Sequence, residues 1–269
     1  MKLNKIRAGL EFFNSGDYKS AINLLDEISA LKLSTVADYN LRGEYLAKVG
    51  EYHFDTRNYE KGQELFGLAV QDYDSAIKLA PNDINSYINR GNFYCKHGYQ
   101  DLAIKDYDKV LELDQNNADA YIGRGNAYNT ARHLAQRDLH KAVELNPNNF
   151  KAYIARSVIY SGIEQNNLAI EDANKAVELN PTNSEVYINR GSIYLNLKQY
   201  DSAIKDYNKA LELDSKNFSA YKGRAMVYFS LKQYEQAIDE LNKAIEIYPE
   251  LNAVNLRRHC DYLRLQEKK

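Results

Sequence analysis

Apolar residues recur at three-and-four spacing along almost the whole chain, in blocks separated by short polar segments. One kind of block is INRGNFY at 88–94, and the other is AIKDYDKVLELD at 103–114. This spacing places apolar side chains on one face of a helix. Gly, Asn, Gln and Lys fill the junctions between the two kinds of block, and Pro or Asn follows the second kind, where a helix ends. The pattern therefore predicts a series of helical hairpins.

The two kinds of block alternate with a period near 34 residues, which indicates an internal repeat. The first kind recurs at 88–94, 122–128, 154–160, 188–194 and 222–228, and the second at 103–114, 169–180, 203–214 and 237–248. A period of this length, with two helical blocks in each repeat, predicts an array of stacked hairpins.

The residues at fixed repeat positions resemble those of the tetratricopeptide repeat (TPR) family. An aromatic residue opens the first helix, a small residue marks its close contact, alanine lies on the second helix, and proline follows it. The first two positions hold Tyr87, Tyr121, Tyr153, Tyr187 and Tyr221, then Gly91, Gly125, Ser157, Gly191 and Ala225. The last two hold Ala103, Ala169, Ala203 and Ala237, then Pro81, Pro147, Pro181 and Pro249. The resemblance implies an all-α, right-handed α-solenoid whose first helices form a concave wall.

We predict a single domain over residues 1–269, built from about seven antiparallel helix pairs and a C-terminal capping helix. The repeats span 2–35, 36–83, 84–117, 118–149, 150–183, 184–217 and 218–251, and the capping helix spans 252–267. The last helix combines apolar positions for docking with many charged residues, as the end of a repeat array requires.

Two repeats depart from the common length. The second is 14 residues longer, because Gly43 and Gly50 both fit the close-contact position and the second-helix pattern is likewise duplicated seven residues on. Two turns added to each helix extend the hairpin by about 10 Å at 1.5 Å per residue. The extension is either a contact surface or a structural embellishment. The fourth repeat lacks two residues between Tyr128 and Ala135, which predicts a tighter turn between its helices.

An arginine precedes the close-contact residue in six repeats, and an acidic residue lies on the second helix of the same repeats. The pairs are Arg42 with Asp72, Arg90 with Asp106, Arg124 with Asp138, Arg156 with Asp172, Arg190 with Asp206 and Arg224 with Glu240. Charges in an interior need partners, so we predict an ion pair in each of these repeats, within about 4 Å. The alternative is a row of arginines that lines an anion-binding groove.

The concave wall implied by the family is the candidate binding site for a peptide or protein segment. Its residues are Ile88, Asn89, Asn92, Lys96, Ile122, Asn126, Asn129, Lys151, Ile154, Val158, Ile188, Asn189, Ser192, Asn196, Lys222, Met226 and Phe229. Asparagine amides suit a peptide backbone, and the apolar residues suit its side chains. In the alternative, the isoleucines pack between first helices and the asparagines only face solvent. The clamp for chaperone C-termini found in some family members is not expected, because Ile88 and Ile122 replace its lysine.

The charge, cysteine and histidine content of the chain argues against several classes of function. The 35 basic and 37 acidic residues are interspersed and give a net charge of −2, so neither nucleic acid nor a membrane surface is the expected partner. Cys95 and Cys260 lie far apart, as reduced thiols in a cytoplasmic protein would. The segment from Met1 to Leu10 has no apolar core typical of a leader. The five histidines lack metal-ligand spacing, and we find no catalytic motif.

The sequence therefore predicts a non-enzymatic scaffold or adaptor without cofactors, which binds a protein or peptide in the concave groove. The alternative is a structural subunit that associates through its ends or its long second hairpin, including with itself as a homo-oligomer. The residues do not identify the partner.

Overall fold

The computed structural model describes residues 2–128, 130–247, 258 and 262–265. The chain divides into two compact units, an N-terminal unit of residues 1–128 and a C-terminal unit of residues 129–269. Every regular element in the described ranges is a helix, which confirms the predicted all-α class. The extent of the seven repeats over one domain stays a prediction.

The N-terminal unit contains three hairpins and the first helix of the fourth repeat. Its helices are α1 (Lys2–Asn14), α2 (Tyr18–Asn23), α3 (Leu25–Ser29), α4 (Val36–Asp55), α5 (Tyr59–Leu79), α6 (Ile84–Lys96), α7 (Gln100–Leu113) and α8 (Ala118–Ala127). Helices α2 and α3 together form the second arm of the first hairpin. Helix α4 packs on both α1 and α5, so each hairpin buries its apolar faces against the next one.

The C-terminal unit begins with the second helix of the fourth repeat and continues with three hairpins. Its helices are α9 (Arg132–Leu145), α10 (Phe150–Gly162), α11 (Asn166–Leu179), α12 (Ser184–Asn196), α13 (Tyr200–Leu213), α14 (Phe218–Ser230) and α15 (Tyr234–Ile247). Helices α10 and α11, α12 and α13, and α14 and α15 pair as hairpins.

Asparagine or aspartate caps the first helix of each repeat from the third to the seventh. The side chains of these residues accept a hydrogen bond from a backbone N–H in the first turn, and they are Asp83, Asn117, Asn149, Asn183 and Asn217. An uncapped first turn leaves such donors unsatisfied. The polar breaks seen in the sequence therefore define where each repeat begins.

The long second hairpin adds its two turns to both arms. Helix α4 has 20 residues and α5 has 21, whereas α6 has 13 and α7 has 14. The two arms are in close contact at Gly62, where a Cβ would lie 2.5 Å from Cδ2 of Phe54. Phe54 and Phe66, both half-buried, stack beside this contact with ring centroids 4.8 Å apart, so aromatic contacts join the two arms within the extension.

The deletion in the fourth repeat shortens a helix instead of tightening the turn. Helix α8 ends at Ala127 after ten residues, with Tyr128 as its C-cap, whereas α6 and α10 have 13 residues. The expected tight turn is therefore wrong, because α8 is three residues shorter than α6 while the connection to α9, 128–131, is one residue longer than the connection from α6 to α7, 97–99, and the net loss is two residues.

Most of the predicted capping helix, 252–267, lies outside the described residues. Tyr262–Leu265 are helical, and Leu263 is fully buried against Ala225, Ile238 and Leu241 of the last hairpin. Tyr262 also contacts Phe229, with ring centroids 6.4 Å apart. This part of the segment therefore docks on hairpin seven.

Candidate functional site

Five of the six predicted Arg–carboxylate pairs are present, and four of them are bidentate. In Arg190, Nε and Nη2 donate to the two oxygens of Asp206 at 2.7 Å each. The same geometry joins Arg42 to Asp72, Arg90 to Asp106 and Arg156 to Asp172, and Arg224 donates to one oxygen of Glu240. The carboxylates are at most 5% exposed. Such fork geometry is the strongest form of a buried ion pair.

The sixth predicted pair involves residues of different units. Arg124 lies in the N-terminal unit and Asp138 in the C-terminal unit, so this pair stays a prediction. Asp138 is 1% exposed and accepts a hydrogen bond from its neighbour Arg137 at 3.3 Å.

Four of these arginines also reach the preceding hairpin, which the sequence reasoning missed. The Nη1 group of Arg190 donates to Asn174 Oδ1 at 2.9 Å, and Arg224 Nη1 donates to Asn208 Oδ1 at 2.5 Å. In the N-terminal unit, Arg90 donates to Asp74, and Arg124 donates to Asp108 Oδ1 at 2.5 Å. These second partners lie 16 residues before the arginine, and the buried acids lie 16 residues after Arg90, Arg190 and Arg224. The second partner could therefore have been found in the sequence from its constant spacing of 16 residues before the arginine, as the buried acid was found after it.

Tyrosine rings flank most of the same arginines. The guanidinium of Arg156 lies 5.5 Å from the ring centroid of Tyr153 and 5.8 Å from that of Tyr160. Hydrogen bonds to Asp172 raise the pKa of Arg156, so the group stays charged. Each described guanidinium of this set is thus held by acceptors, and most are also held by rings, which favours the structural interpretation over an open anion-binding row.

The predicted groove residues differ widely in exposure. The exposed ones are Asn92, Lys96, Asn126, Lys151, Val158, Asn196, Lys222 and Met226. The half-buried ones are Ile88, Asn89, Ile154, Ile188, Asn189, Ser192 and Phe229. Ile122 is only 9% exposed and serves mainly in packing, and Asn129 lies outside the described residues.

Several polar groups of the predicted groove already have partners in the protein. Asn92 Oδ1 accepts a hydrogen bond from the Tyr107 hydroxyl at 2.7 Å. Asn189 Oδ1 accepts one from the Ser157 hydroxyl at 3.0 Å. In these two cases the amide oxygen is committed to the protein and only its N–H₂ group remains to donate to a ligand.

Val158 and Met226 give the groove exposed apolar surface. They occupy the same repeat position, directly after the close-contact residue, and are 54% and 47% exposed. Both are in the C-terminal unit, on α10 and α14. Their exposure at one repeat position makes them candidates for contact with a ligand.

The described residues were compared with the requirements of a metal site and of a membrane-spanning helix. Among them, no three His, Cys, Asp or Glu side chains converge as metal ligands would. None of their helices combines the length and apolarity that crossing a membrane requires. Cys95 is a free thiol whose pKa is raised by burial, and Cys260 lies outside the described residues.

Solved structures of several TPR proteins are similar to this chain. A tetratricopeptide repeat protein from Parabacteroides merdae is 20% identical over 98% of each chain, with a TM-score of 0.65. TTC0263, a TPR protein from Thermus thermophilus, is 18% identical over 68% of this chain and 99% of its own, with a TM-score of 0.62. YrrB, a TPR protein with an unusual peptide-binding site, is 28% identical over 71% of this chain and 97% of its own, with a TM-score of 0.47. No curated protein sequence matches the chain.

Family models match the sequence directly. A Tetratricopeptide repeat model matches 184–217 and 218–251, another Tetratricopeptide repeat model matches 150–183, and a TPR repeat model matches 91–130. Together these matches cover more than half of the chain. TPR arrays generally act as scaffolds for protein interaction, which supports that general role here. On its repeat residues, its helices and these matches, the chain belongs to the tetratricopeptide repeat family.

Proposed function

We propose that the protein is a non-enzymatic adaptor that binds a peptide or protein segment along its first helices. The observation that carries this proposal is the exposure of Val158 and Met226 at one repeat position of α10 and α14. A single exposed apolar residue needs no explanation, but exposed apolar residues at the same position of two first helices do.

Polar side chains beside this apolar surface are able to orient an extended segment. Lys151 and Lys222 are exposed on the same helices as Val158 and Met226, and their amines donate to backbone carbonyls or acidic side chains. A net charge of −2 without a basic field favours a protein partner over nucleic acid. A cytoplasmic location stays a prediction.

A capture experiment tests the proposal. Immobilised protein is incubated with native extract and compared with the double variant Val158→Glu with Met226→Glu, which places two charges on the apolar surface. The matched control is Leu168→Glu on α11, since Leu168 is 41% exposed but lies on a second helix. We expect the double variant to lose the captured partner and the control to retain it.

Retention of every partner by the double variant would contradict the proposal. Light scattering over a concentration series addresses the alternative, in which the protein is an assembly subunit. An adaptor that works as a monomer keeps one mass at all concentrations, whereas an assembly subunit gains mass with concentration.

A further inference from the structure

The extension of the second hairpin creates a groove in the N-terminal unit. Helix α6 ends at Lys96 and α7 begins at Gln100, so the third hairpin is too short to cover the added turns of α4 and α5. The resulting groove has a volume of about 1010 Å³ and is bounded by α4, α5, α6 and α7. This volume is at the upper end for a ligand-binding cleft.

Aromatic and aliphatic side chains line the groove. Phe66 contacts Phe93 edge-on, with ring centroids 5.3 Å apart, and stacks on Phe54. Tyr99 and Leu102 form the opposite side on α7 and its N-cap, and they are 53% and 41% exposed. The groove therefore offers apolar contact area that its own helices do not bury.

Two carboxylates lie at the groove, and one of them, Asp55, has no ion-pair partner among the described residues. Glu51 is neutralised by Lys96, whose Nζ lies 2.7 Å from its Oε2, and His97 Nε2 lies 3.3 Å from Oε1. In the described chain no donor contacts the neighbouring Asp55 carboxylate. Burial, and then the charge of Glu51, raise the pKa of Asp55, and the charge of Lys96 opposes them only in part, so a cation that contacts Asp55 directly would stabilise its charged form further.

Gly67 lies at an open part of the groove. It lies within α5, where glycine is among the poorest helix formers. Gly50 and Gly62 are needed because a Cβ there would strike Phe66 or Phe54, but a Cβ on Gly67 would meet no atom within 4 Å. No contact among the described residues requires a glycine at this position, so the open space is available to a ligand.

We propose that this groove binds a short segment of a partner protein that carries a lysine or arginine beside an apolar side chain. The apolar side chain lies over Phe54 and Phe66 above Gly67, and the cation pairs with Asp55. The site is distinct from the surface that includes Val158 and Met226, so it goes beyond the adaptor proposal and is testable without it.

Selection from a random peptide library displayed on phage tests this proposal. The library is first depleted on the Gly67→Trp variant, which fills the groove, and is then selected on the wild-type protein. We expect the surviving peptides to carry Lys or Arg next to an apolar residue. The matched control, Gly67→Ala, adds a methyl group in open space and is expected to bind the selected peptide as tightly as wild type.

Affinity measurements on the selected peptide separate the two parts of the site. Asp55→Asn removes the charge and is expected to weaken binding about fivefold, as for one partly exposed ion pair. Leu102→Glu places a charge on the apolar lining of the groove without replacing a helix glycine. It therefore tests the role of the groove in peptide binding if Gly67→Trp does not fold. The double variant Val158→Glu with Met226→Glu is expected to bind the peptide unchanged, whatever it does to the adaptor function.

Any of four results would overturn the proposal. They are a selection that yields no enriched peptides, enrichment of acidic or uncharged peptides, unchanged affinity in both blocking variants, or unchanged affinity in Asp55→Asn. Wild-type self-association that either blocking variant abolishes would also overturn it, since the occupant would then be a second copy of the chain.

Discussion

Arg90 of the N-terminal unit and Arg190 of the C-terminal unit occupy the same repeat position but differ in one partner. Both form a bidentate pair with a buried aspartate, Asp106 or Asp206, which is 4% or 3% exposed. Arg90 also donates to the carboxylate of Asp74, whereas Arg190 donates to the amide of Asn174.

The difference shows which partner must carry a charge. Inside the hairpin only a carboxylate compensates a guanidinium that has lost its water. The second partner lies on an exposed position, since the Asp74 side chain is 54% exposed, and there water screens the charge. A neutral acceptor therefore performs the second role as well as an acid does.

The tyrosine that follows each of these buried aspartates extends the comparison. Tyr107 packs against Gly91 and Gly123, and Tyr207 packs against Gly191 and Gly223 at the same repeat positions. The Tyr107 hydroxyl donates to Asn92, whereas the Tyr207 hydroxyl lies 3.1 Å from the hydroxyl of Ser192. The packing is thus the same while the polar partner of the ring varies.

The largest effect is expected when a buried aspartate is removed. Asp206→Ala should lower the free energy of unfolding by about 3–5 kcal/mol, because the largely buried Arg190 loses its carboxylate partner, and Asp106→Ala should cost less, because Arg90 keeps its pair with Asp74. Urea denaturation followed by circular dichroism measures this loss. The control replaces both partners, with Arg190→Met and Asp206→Leu, and should be far less destabilising. A loss below about 1 kcal/mol in Asp206→Ala would mean that the pair behaves as an exposed one.

A smaller effect is expected at the glycines that contact the tyrosines. A Cβ on Gly123 or Gly223 would overlap the ring of Tyr107 or Tyr207, so either Gly→Ala variant should cost about 1–3 kcal/mol through overpacking. Thermal and urea denaturation provide the measurement. Adding Tyr107→Leu to Gly123→Ala should restore much of the loss, since the chain has Leu139 and Ala155 at these positions one repeat later. Failure of this rescue would argue against a ring contact as the cause.

Alkaline pH should destabilise both regions. Burial raises the pKa of Tyr107 and of Tyr207 above that of an unfolded tyrosine, so their contribution is complete below pH about 10 and falls above it. The unfolded chain then loses phenolic protons that the folded chain retains. Each phenol should reduce the free energy of unfolding by about 1.4 kcal/mol per pH unit in this range. Tyr107→Phe and Tyr207→Phe should each make the measured slope shallower, and an unchanged slope would contradict the assignment.

The smallest effect is expected from exchanging the second partners. Asp74→Asn and Asn174→Asp should each change the free energy of unfolding by less than about 1 kcal/mol, because these side chains are exposed and screened. Denaturation at low and high salt separates the charge from the hydrogen bond, and only the carboxylate forms should respond to salt. A loss of several kcal/mol in Asp74→Asn would show that the charge is required there too.

Most of the hairpin architecture could be predicted, because the same apolar spacing and the same charged pair recur in several repeats. Apolar periodicity indicated the helices, and the joint presence of arginine and acid indicated Arg42 with Asp72 as well as the regular pairs. The second partners could not be predicted in this way, because Asp74 and Asn174 differ in charge and a pattern of opposite charges does not mark their position.

The location of the deletion and the groove could not be predicted in the same way. Periodicity shows that two residues are absent near Tyr128 but not whether the helix or the turn loses them. The groove at Phe54 and Asp55 depends on how far one hairpin extends past the next, which is a property of neighbouring lengths and not of one residue pattern. For the same reason the partners of Asn92 and Asn189 became visible only with the side chains in place.

The unequal lengths of the hairpins also matter for how the chain avoids misfolding. The segments IKDYDKVLELD at 104–114 and IKDYNKALELD at 204–214 are nearly the same, so a folding chain could pair the wrong copies. Helix α4 has 20 residues, and pairing it with a 14-residue second arm such as α7 or α13 would leave Phe54 and its neighbours without a partner. Such a slipped intermediate loses apolar contacts that only α5 supplies. The extra length of α4 and α5 therefore disfavours the pairing of either helix with a shorter arm.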